Sequence, residues 1–474
     1  MPSVSRMESV KEKRRRDVAY NYTECNRDQL YLLPPSMKEW LPENHLAWFL
    51  IDAVGQMDLS AFHAAHRNDG RGQKAHHPEM MLAVLLYAYC QGERSSRKIE
   101  RLCQESVPYR IVAADTAPDH CAFARFRQRH AKAMKSLFVE ILRLCAEAGL
   151  VKAGKVNLDG TKMKANASLA ANRTEKTLSE EIERMLAEAE AKDTEEDETF
   201  GKNKRGDELP EGLRSRESRR VRLQEARERL VHERLEVEEA QRRKLEERAR
   251  KEEEGGKKMR GRPPRSVEAV GQEQGKRKAN TTAPETRILK TRSGYVQGFN
   301  AQAVCTDAQI ILSADVTDQE NDQGLYHRMM EQAQESATAA LGEEEGKINL
   351  GRADAGYCNE VDLEKECDHE ILMATKKDWK RRKLMREEPP PRGRIPKSLS
   401  AMERMERKLR TKRGSKEYRK RSQTIEPVFG QIKSGRGIDA FYGRKLVSAR
   451  GEWNLICGTN NLLKLFRSLR AARN

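Results

Sequence analysis

Three acidic residues stand where a chain can deliver a carboxylate into a cleft. Asp159 closes the run Val156-Asn157-Leu158 and is followed by Gly160. Asp354 lies in Ala353-Asp354-Ala355-Gly356-Tyr357, just after Ile348 to Leu350, and Glu426 sits in Thr424-Ile425-Glu426-Pro427-Val428-Phe429. A short apolar run ending in an acid and a Gly reads as a strand end and a turn. With 74 Asp and Glu in the chain, each taken alone is a solvated side chain or a turn residue; the joint context selects these three. Together they form an all-oxygen donor set for a hard divalent cation. Mg²⁺ keeps some waters and takes substrate oxygens, so three carboxylates suffice for two ions about 4 Å apart, which activate one oxygen and stabilise the leaving one in phosphodiester chemistry. We expect Asp159, Asp354 and Glu426 to hold two Mg²⁺ ions, with Mn²⁺ as a substitute.

The elements that must present these residues follow from periodicity. Lys155 to Asp159 reads as a strand running out to a turn. Tyr295 to Cys305 and Gln309 to Val316, separated by Thr306-Asp307-Ala308, read as an antiparallel hairpin. A helix from about Asp322 to Ala340 follows, then the strand ending at Asp354, a short helix, and a strand at Ile371 to Thr375. Residues 376–420 are basic and Pro-interrupted, and a last helical region carries Glu426 and Trp453-Asn454-Leu455-Ile456-Cys457. This order predicts an α/β sheet mixing an antiparallel hairpin with parallel crossovers. Its first and fourth strands would set Asp159 beside Asp354, and Glu426 would approach on a helix.

Composition points to the partner. Of 474 residues, 37% are hydrophobic and 35% charged, so part of the chain is expected to be an extended, solvated element. The net charge of +17 favours a polyanion, and nucleic acid is the commonest. Nine scattered Cys without a Cys-x-x-Cys pair read as small buried hydrophobes in a reducing compartment. No signal-peptide core opens the chain and no apolar run approaches the roughly 20 residues of a membrane span, so a soluble cytoplasmic protein is expected.

Four segments are expected. Residues 1–42 form a basic and aromatic arm, with five cations in Lys11 to Arg16 and then Tyr20, Tyr22, Tyr31 and Trp40, which either clamps phosphates or settles on its own domain. Residues 43–150 are helical. Pro78 to Cys90 and the Ser-capped helix from Ser95, which exposes Arg97, are joined by Gln91-Gly92-Glu93 as in a helix-turn-helix or any helical hairpin. Pro118-Asp119-His120 caps a further helix whose Arg125 and Arg127, interleaved with Phe123 and Phe126, suit a phosphate-lined surface or a half-buried amphipathic face. His120 and His130 read as a cap neighbour and a surface residue. Residues 175–284 are a charged helical insert. Leu223, Leu230 and Val237 at sevens, with Ala226 and Ala240, fit a coiled-coil seam, or else a long charged helix or helical hairpin standing off the body. It ends at Lys257 to Arg265, similar to an AT-hook, where Arg260-Gly261-Arg262-Pro263 suits an extended backbone with Arg260 and Arg262 in a narrow minor groove, or else a basic linker. Residues 151–174 and 285–474 make the sheet domain.

At the three carboxylates the chain resembles DDE transposases of bacterial insertion sequences. The matching residues are Leu158-Asp159-Gly160-Thr161-Lys162 with Ala165-Asn166-Ala167-Ser168, Ala353-Asp354-Ala355-Gly356-Tyr357, and Ile425-Glu426-Pro427-Val428-Phe429-Gly430-Gln431-Ile432-Lys433. Tyr418, Arg421, Glu426 and Lys433 are similar to the family's Tyr, Arg, Glu and Lys signature, although four residues separate Arg421 from Glu426 where the pattern has three. The likeness spans roughly residues 40–170 and 280–465. It implies a ribonuclease-H-like catalytic fold behind an all-α N-terminal domain, and metal-dependent cleavage at transposon ends followed by strand transfer. It also implies that Lys433 contacts phosphate, that Tyr418 helps position the strand, and that the partners are the terminal inverted repeats and target DNA, bound by a homo-oligomer. Two other readings remain: an architectural DNA-binding protein without catalysis, and a nuclease of the same fold without strand transfer. Metal-dependent end cleavage excludes the first, and the products separate the second.

Overall fold

In a computed structural model of the chain, the described residues are 39–64, 75–185, 187, 211–255, 261, 263–291, 294–375, 393–396 and 398–473. The chain divides into two units, Met1–Glu43 and Asn44–Asn474, and of the first only residues 39–43 are described. The basic stretch Lys11 to Arg16, with Tyr20, Tyr22 and Tyr31, lies outside the described residues, as do Arg260 and Arg262 of the hook-like segment. The elements below belong to the second unit.

Its helical part contains α1 (Leu46–Gly55), α2 (Pro78–Cys90), α3 (Ser96–Glu105), α4 (Val107–Val112), α5 (His120–Arg129) and α6 (Met134–Glu147). Starts follow capping chemistry: His45 Nδ1 accepts from the Ala47 amide at 3.1 Å, Pro78 occupies the first turn of α2, and the Ser95 and Asp119 side chains cap α3 and α5. Helix α2 is buried on every side from Met81 to Cys90, as a core helix is. Helix α3 is amphipathic instead, with Ile99 and Cys103 inward and Arg97 and Lys98 outward. His130, expected at the surface, is buried against Phe62 and Phe126 at centroid distances of 5.1 and 4.4 Å. Of the cysteines, Cys121 is exposed, whereas Cys90, Cys103, Cys145, Cys305, Cys358 and Cys457 are buried as expected.

Among the described residues the main sheet has six strands: β1 (Lys155–Lys164), β4 (Arg287–Thr291), β5 (Gly294–Thr306), β6 (Ile311–Thr317), β7 (Leu350–Ala353) and β8 (Glu370–Met373). Their order is β4-β5-β1-β7-β8, with β6 also on β5. Strands β5 and β6 form the antiparallel hairpin, and β1, β7 and β8 run parallel. The crossovers are α9 (Tyr326–Leu341) and the short α10 (Glu360–Glu364), and the chain ends in α11 (Ala401–Arg410), α12 (Lys412–Gly430) and α13 (Leu446–Arg473). Helix α13 packs on α2, α6 and β6, so the N-terminal helices and the sheet share one core around the fully buried Trp453. Asn461 fixes that packing by bonding both polar groups of Ile311, its amide to the carbonyl at 2.8 Å and its oxygen to the N–H at 2.9 Å.

The insert contains helical residues 175–185, α7 (Glu211–Gly255) and α8 (Val267–Gln274). Its base is closed by an unanticipated antiparallel pair, β2 (Asn172–Thr174) with β3 (Lys278–Asn280). The heptad seam is spent within the chain: Leu223, Ala226 and Leu230 pack on Leu178, Ile182 and Ala279, whereas Val237 is half-buried and Ala240 exposed. The first part of α7 is therefore docked rather than standing off.

Candidate active site

The site is built where β1 and β7 lie side by side. Their parallel register pairs Val156 with Gly351 and Asn157 with Arg352; Asp159 lies two residues beyond the last pair on β1 and Asp354 just past the end of β7, near enough for its charge to act on Asp159. Each carboxylate is fixed by the backbone after it. The Gly160 N–H donates to Asp159 Oδ1 at 2.9 Å, and the Gly356 N–H to Asp354 Oδ1 at 2.7 Å. Both glycines are required by space. A Cβ on Gly160 would lie 2.5 Å from Gln302 Nε2, and one on Gly356 2.8 Å from Asp354 Oδ1.

The third carboxylate comes on α12. Helix α12 turns Thr424, Ile425 and Val428 inward and leaves the Glu426 side chain 60% exposed at the edge. Two ion pairs seat this helix on the sheet. Arg352 of β7, fully buried, donates to Asp307 Oδ1 at 2.6 Å, to Asn157 Oδ1 at 3.1 Å and to Glu417 Oε2 at 2.6 Å; Lys155 reaches the other Glu417 oxygen at 3.0 Å. Against the upward push of burial, the bonds from Lys155 and Arg352 draw the Glu417 carboxyl down to about 2. One turn on, Arg421 Nη1 donates to Asp159 Oδ2 at 2.8 Å, and its Nη2 stands 3.8 Å from Glu426 Oε1. A single guanidinium thus joins the first and third carboxylates. Pro427, without an N–H, interrupts the ladder next to Glu426, and α12 gives way to a π turn at Gln431–Gly435. Lys433 lies in that turn, and its Nζ donates to the Lys162 carbonyl at 2.7 Å.

A second layer was missed in the sequence. Asp322 lies in the loop between β6 and α9, four residues before the helix begins, and accepts from Asn300 Nδ2 at 2.7 Å and Gln302 Nε2 at 2.9 Å. Gln302 also accepts from the Tyr357 hydroxyl, and its carbonyl takes the Trp453 indole N–H at 2.8 Å. Asn300 and Gln302 are buried polar residues at alternate positions of a strand otherwise rich in Ala and Val, which was the available signal.

Electrostatics follow from this crowding. Burial raises the Asp159 carboxyl to about 6, and the nearby Asp354 charge adds to this while Arg421 opposes it. Burial pushes the Tyr357 hydroxyl well above its usual range, with the charges of Asp322, Asp159 and Asp354 acting the same way. The Lys162 and Lys433 ammonium groups are lowered by burial. Among the described residues no three His, Cys, Asp or Glu side chains are gathered closely enough to hold an ion. The donor chemistry nevertheless fits a hard divalent cation: the acidic side chains brought to this edge offer only oxygen, and a cation held by Asp159 and Asp354 would relieve the repulsion that helps raise Asp159.

The other singled-out cations are distributed differently. Arg97 on α3 and Arg125 on α5 are exposed, with Arg125 Nε donating to the Cys121 carbonyl at 3.3 Å. Arg127 is turned inward, donating to Tyr89 Oη at 3.1 Å, to the Arg94 carbonyl at 2.8 Å and to Ser96 Oγ, so it braces the α2–α3 junction. Tyr418 is half-buried on α12 beside Arg421.

No curated protein and no solved structure matches the chain. A family model described as a transposase domain (DUF772) matches residues 35–129, which hold α1 to α5, and one described as a transposase DDE domain matches residues 342–466, which hold Asp354 and Glu426. Asp159 lies outside both matches, and β1 brings it to the others through the sheet. With a transposase-domain match at each end of its core, the chain is similar to DDE transposases of insertion-sequence type.

Proposed function

We propose that the protein cuts DNA at transposon ends and joins the freed 3′ hydroxyl to target DNA, using Asp159, Asp354 and Glu426 to hold two Mg²⁺ ions for which Mn²⁺ substitutes. The observation that carries this reading is the proximity of Asp159 on β1 to Asp354 just past the end of the neighbouring parallel strand β7, with Glu426 linked to Asp159 through Arg421. The strand order supports a ribonuclease-H-like fold: an antiparallel hairpin flanks β1 on one side and two parallel strands on the other. When bound, the metal supplies Lewis-acid activation of the attacking and leaving oxygens.

The chain's own residues do the positioning. Asp159 and Asp354 are oriented by the N–H groups of Gly160 and Gly356, which leaves one oxygen of each carboxylate outside that bond. Arg421 neutralises part of the carboxylate charge until the ions bind. Arg97 and Arg125, together with the net charge of +17, suit the phosphate backbone, and Tyr418 and Lys433 flank the third carboxylate. Inverted terminal repeats and target DNA are the partners this chemistry calls for, bound by more than one copy of the chain. The test is Asp354→Asn assayed on DNA carrying the element's terminal repeats. Mg²⁺-dependent nicking is expected to vanish with binding of the same DNA retained; undiminished nicking overturns the assignment.

A further inference from the structure

A chain of ion pairs connects the charged insert to the active-site floor, and the chemistry above does not use it. On α7, Arg229 Nε pairs with Glu233 one turn later at 2.8 Å. Glu233 also takes Arg287 of β4 and stands 3.6 Å from Arg277, while the second arm of Arg229 pairs with Asp318 Oδ2. Arg287 Nε adds a bond to the Asp318 carbonyl at 3.3 Å. The Arg229, Glu233 and Arg287 side chains are only 18%, 16% and 12% exposed, so these pairs are screened less than ordinary surface pairs.

Asp318 opens the loop 318–325, whose far part lies on the active-site floor. Lys162 of β1 holds the Glu320 carbonyl at 3.0 Å, and Arg277 pairs with the Glu320 side chain at 3.4 Å. Asp322 is held by Asn300 and Gln302, and its oxygens come within 2.9 Å and 3.1 Å of where Cβ atoms on Gly160 and Gly356 would stand. Those two glycines are the ones whose N–H groups orient Asp159 and Asp354. The loop is therefore gripped at one end by the insert and at the other by the strand beneath the carboxylates. The apolar seam of Leu223, Ala226 and Leu230 fixes α7 at the height this grip requires.

We propose that the insert is a positioning arm for the active site: Arg229 and Glu233 hold the 318–325 loop so that Asp322 stays packed against the turns that orient Asp159 and Asp354. The proposal rests on the catalytic reading above for its functional consequence and on the loop alone for its structural one.

The experiment uses the full chain with Arg229→Gln, Asp318→Asn, the two combined, and Arg229→Lys. Amide hydrogen exchange over residues 318–325 is expected to rise about tenfold in Arg229→Gln and in Asp318→Asn and no further in their combination, because the pair acts as a unit. Arg229→Lys, which keeps the charge, is expected to recover most of the protection, and exchange in β5 is expected to stay unchanged in all four. Cleavage of terminal-repeat DNA is expected to lose about tenfold in kcat in step with loop exchange, with KM unchanged. Unaltered loop exchange in Arg229→Gln overturns the proposal, as does a loosened loop with wild-type cleavage. If the wild-type protein fails to cleave, the catalytic reading falls and loop exchange alone decides the arm.

Discussion

Arg421 donates to Asp159 at 2.8 Å and stands 3.8 Å from Glu426, so one guanidinium lies between these two carboxylates. Its removal leaves Asp159 buried with Asp354 as its charged neighbour, and the carboxyl, already at about 6, rises further. Below that value Asp159 takes a proton and the loss is relieved; above it an unpaired charge stays buried. Arg421→Ala is therefore expected to cost about 1 kcal/mol at pH 5 and about 3 kcal/mol at pH 8. Urea unfolding at the two pH values measures the difference, and a loss independent of pH contradicts it.

Arg352 shows no such pH dependence over the same range. It is fully buried among Asp307, Asn157 and Glu417, and Glu417 titrates at about 2, so this network keeps its charges throughout the neutral range. Stability from a carboxyl lowered in this way is present above its unfolded value and is lost only as pH falls toward 2. Arg352→Ala is expected to cost about 3 to 5 kcal/mol, roughly constant between pH 5 and 8. It should also reduce cleavage, because Glu417 no longer seats the helix that carries Glu426. Wild-type cleavage in a folded Arg352→Ala protein would count against that positioning role.

Gly160→Ala tests the crowding beside Asp159. The new methyl would stand 2.5 Å from Gln302 Nε2 and 2.9 Å from Asp322 Oδ1, forcing one of them to move. A loss of about 1 to 3 kcal/mol is expected from the displaced side chain and its broken bond. Cleavage should fall at least tenfold, a rate change worth about 1.4 kcal/mol in the barrier. Thermal unfolding and single-turnover cleavage read the two effects separately; a variant as active as wild type contradicts the account of this turn.

The carboxylates were legible because a short apolar run ending in an acid constrains both the strand and what leaves its end. The hairpin and the parallel strands carried enough β-periodicity to predict that the strand leading to Asp159 lies beside the strand leading to Asp354, and β1 pairs parallel with β7. Asp322 was read as the start of a helix that in fact begins at Tyr326, because the bonds that hold it come from Asn300 and Gln302 on a different strand. Arg127 read as belonging either to a phosphate-lined surface or to a half-buried face, and its partners Tyr89 and Arg94 belong to and follow another helix, which local spacing does not reveal. Likewise the seam at Leu223 and Leu230 looked like a free heptad because its partners, Leu178 and Ile182, precede it across a long stretch of charge.

The central claim is that Asp159, Asp354 and Glu426 share one metal site, and iron-directed backbone cleavage tests it most directly. Fe²⁺ loaded in place of Mg²⁺, with ascorbate and peroxide, generates hydroxyl radicals that cut the chain beside the bound ion. The account predicts cuts clustered around residues 159, 354 and 426, all suppressed by excess Mg²⁺ and all lost in Asp159→Asn. Cuts that leave out the Glu426 segment, or that persist in Asp159→Asn, would contradict it.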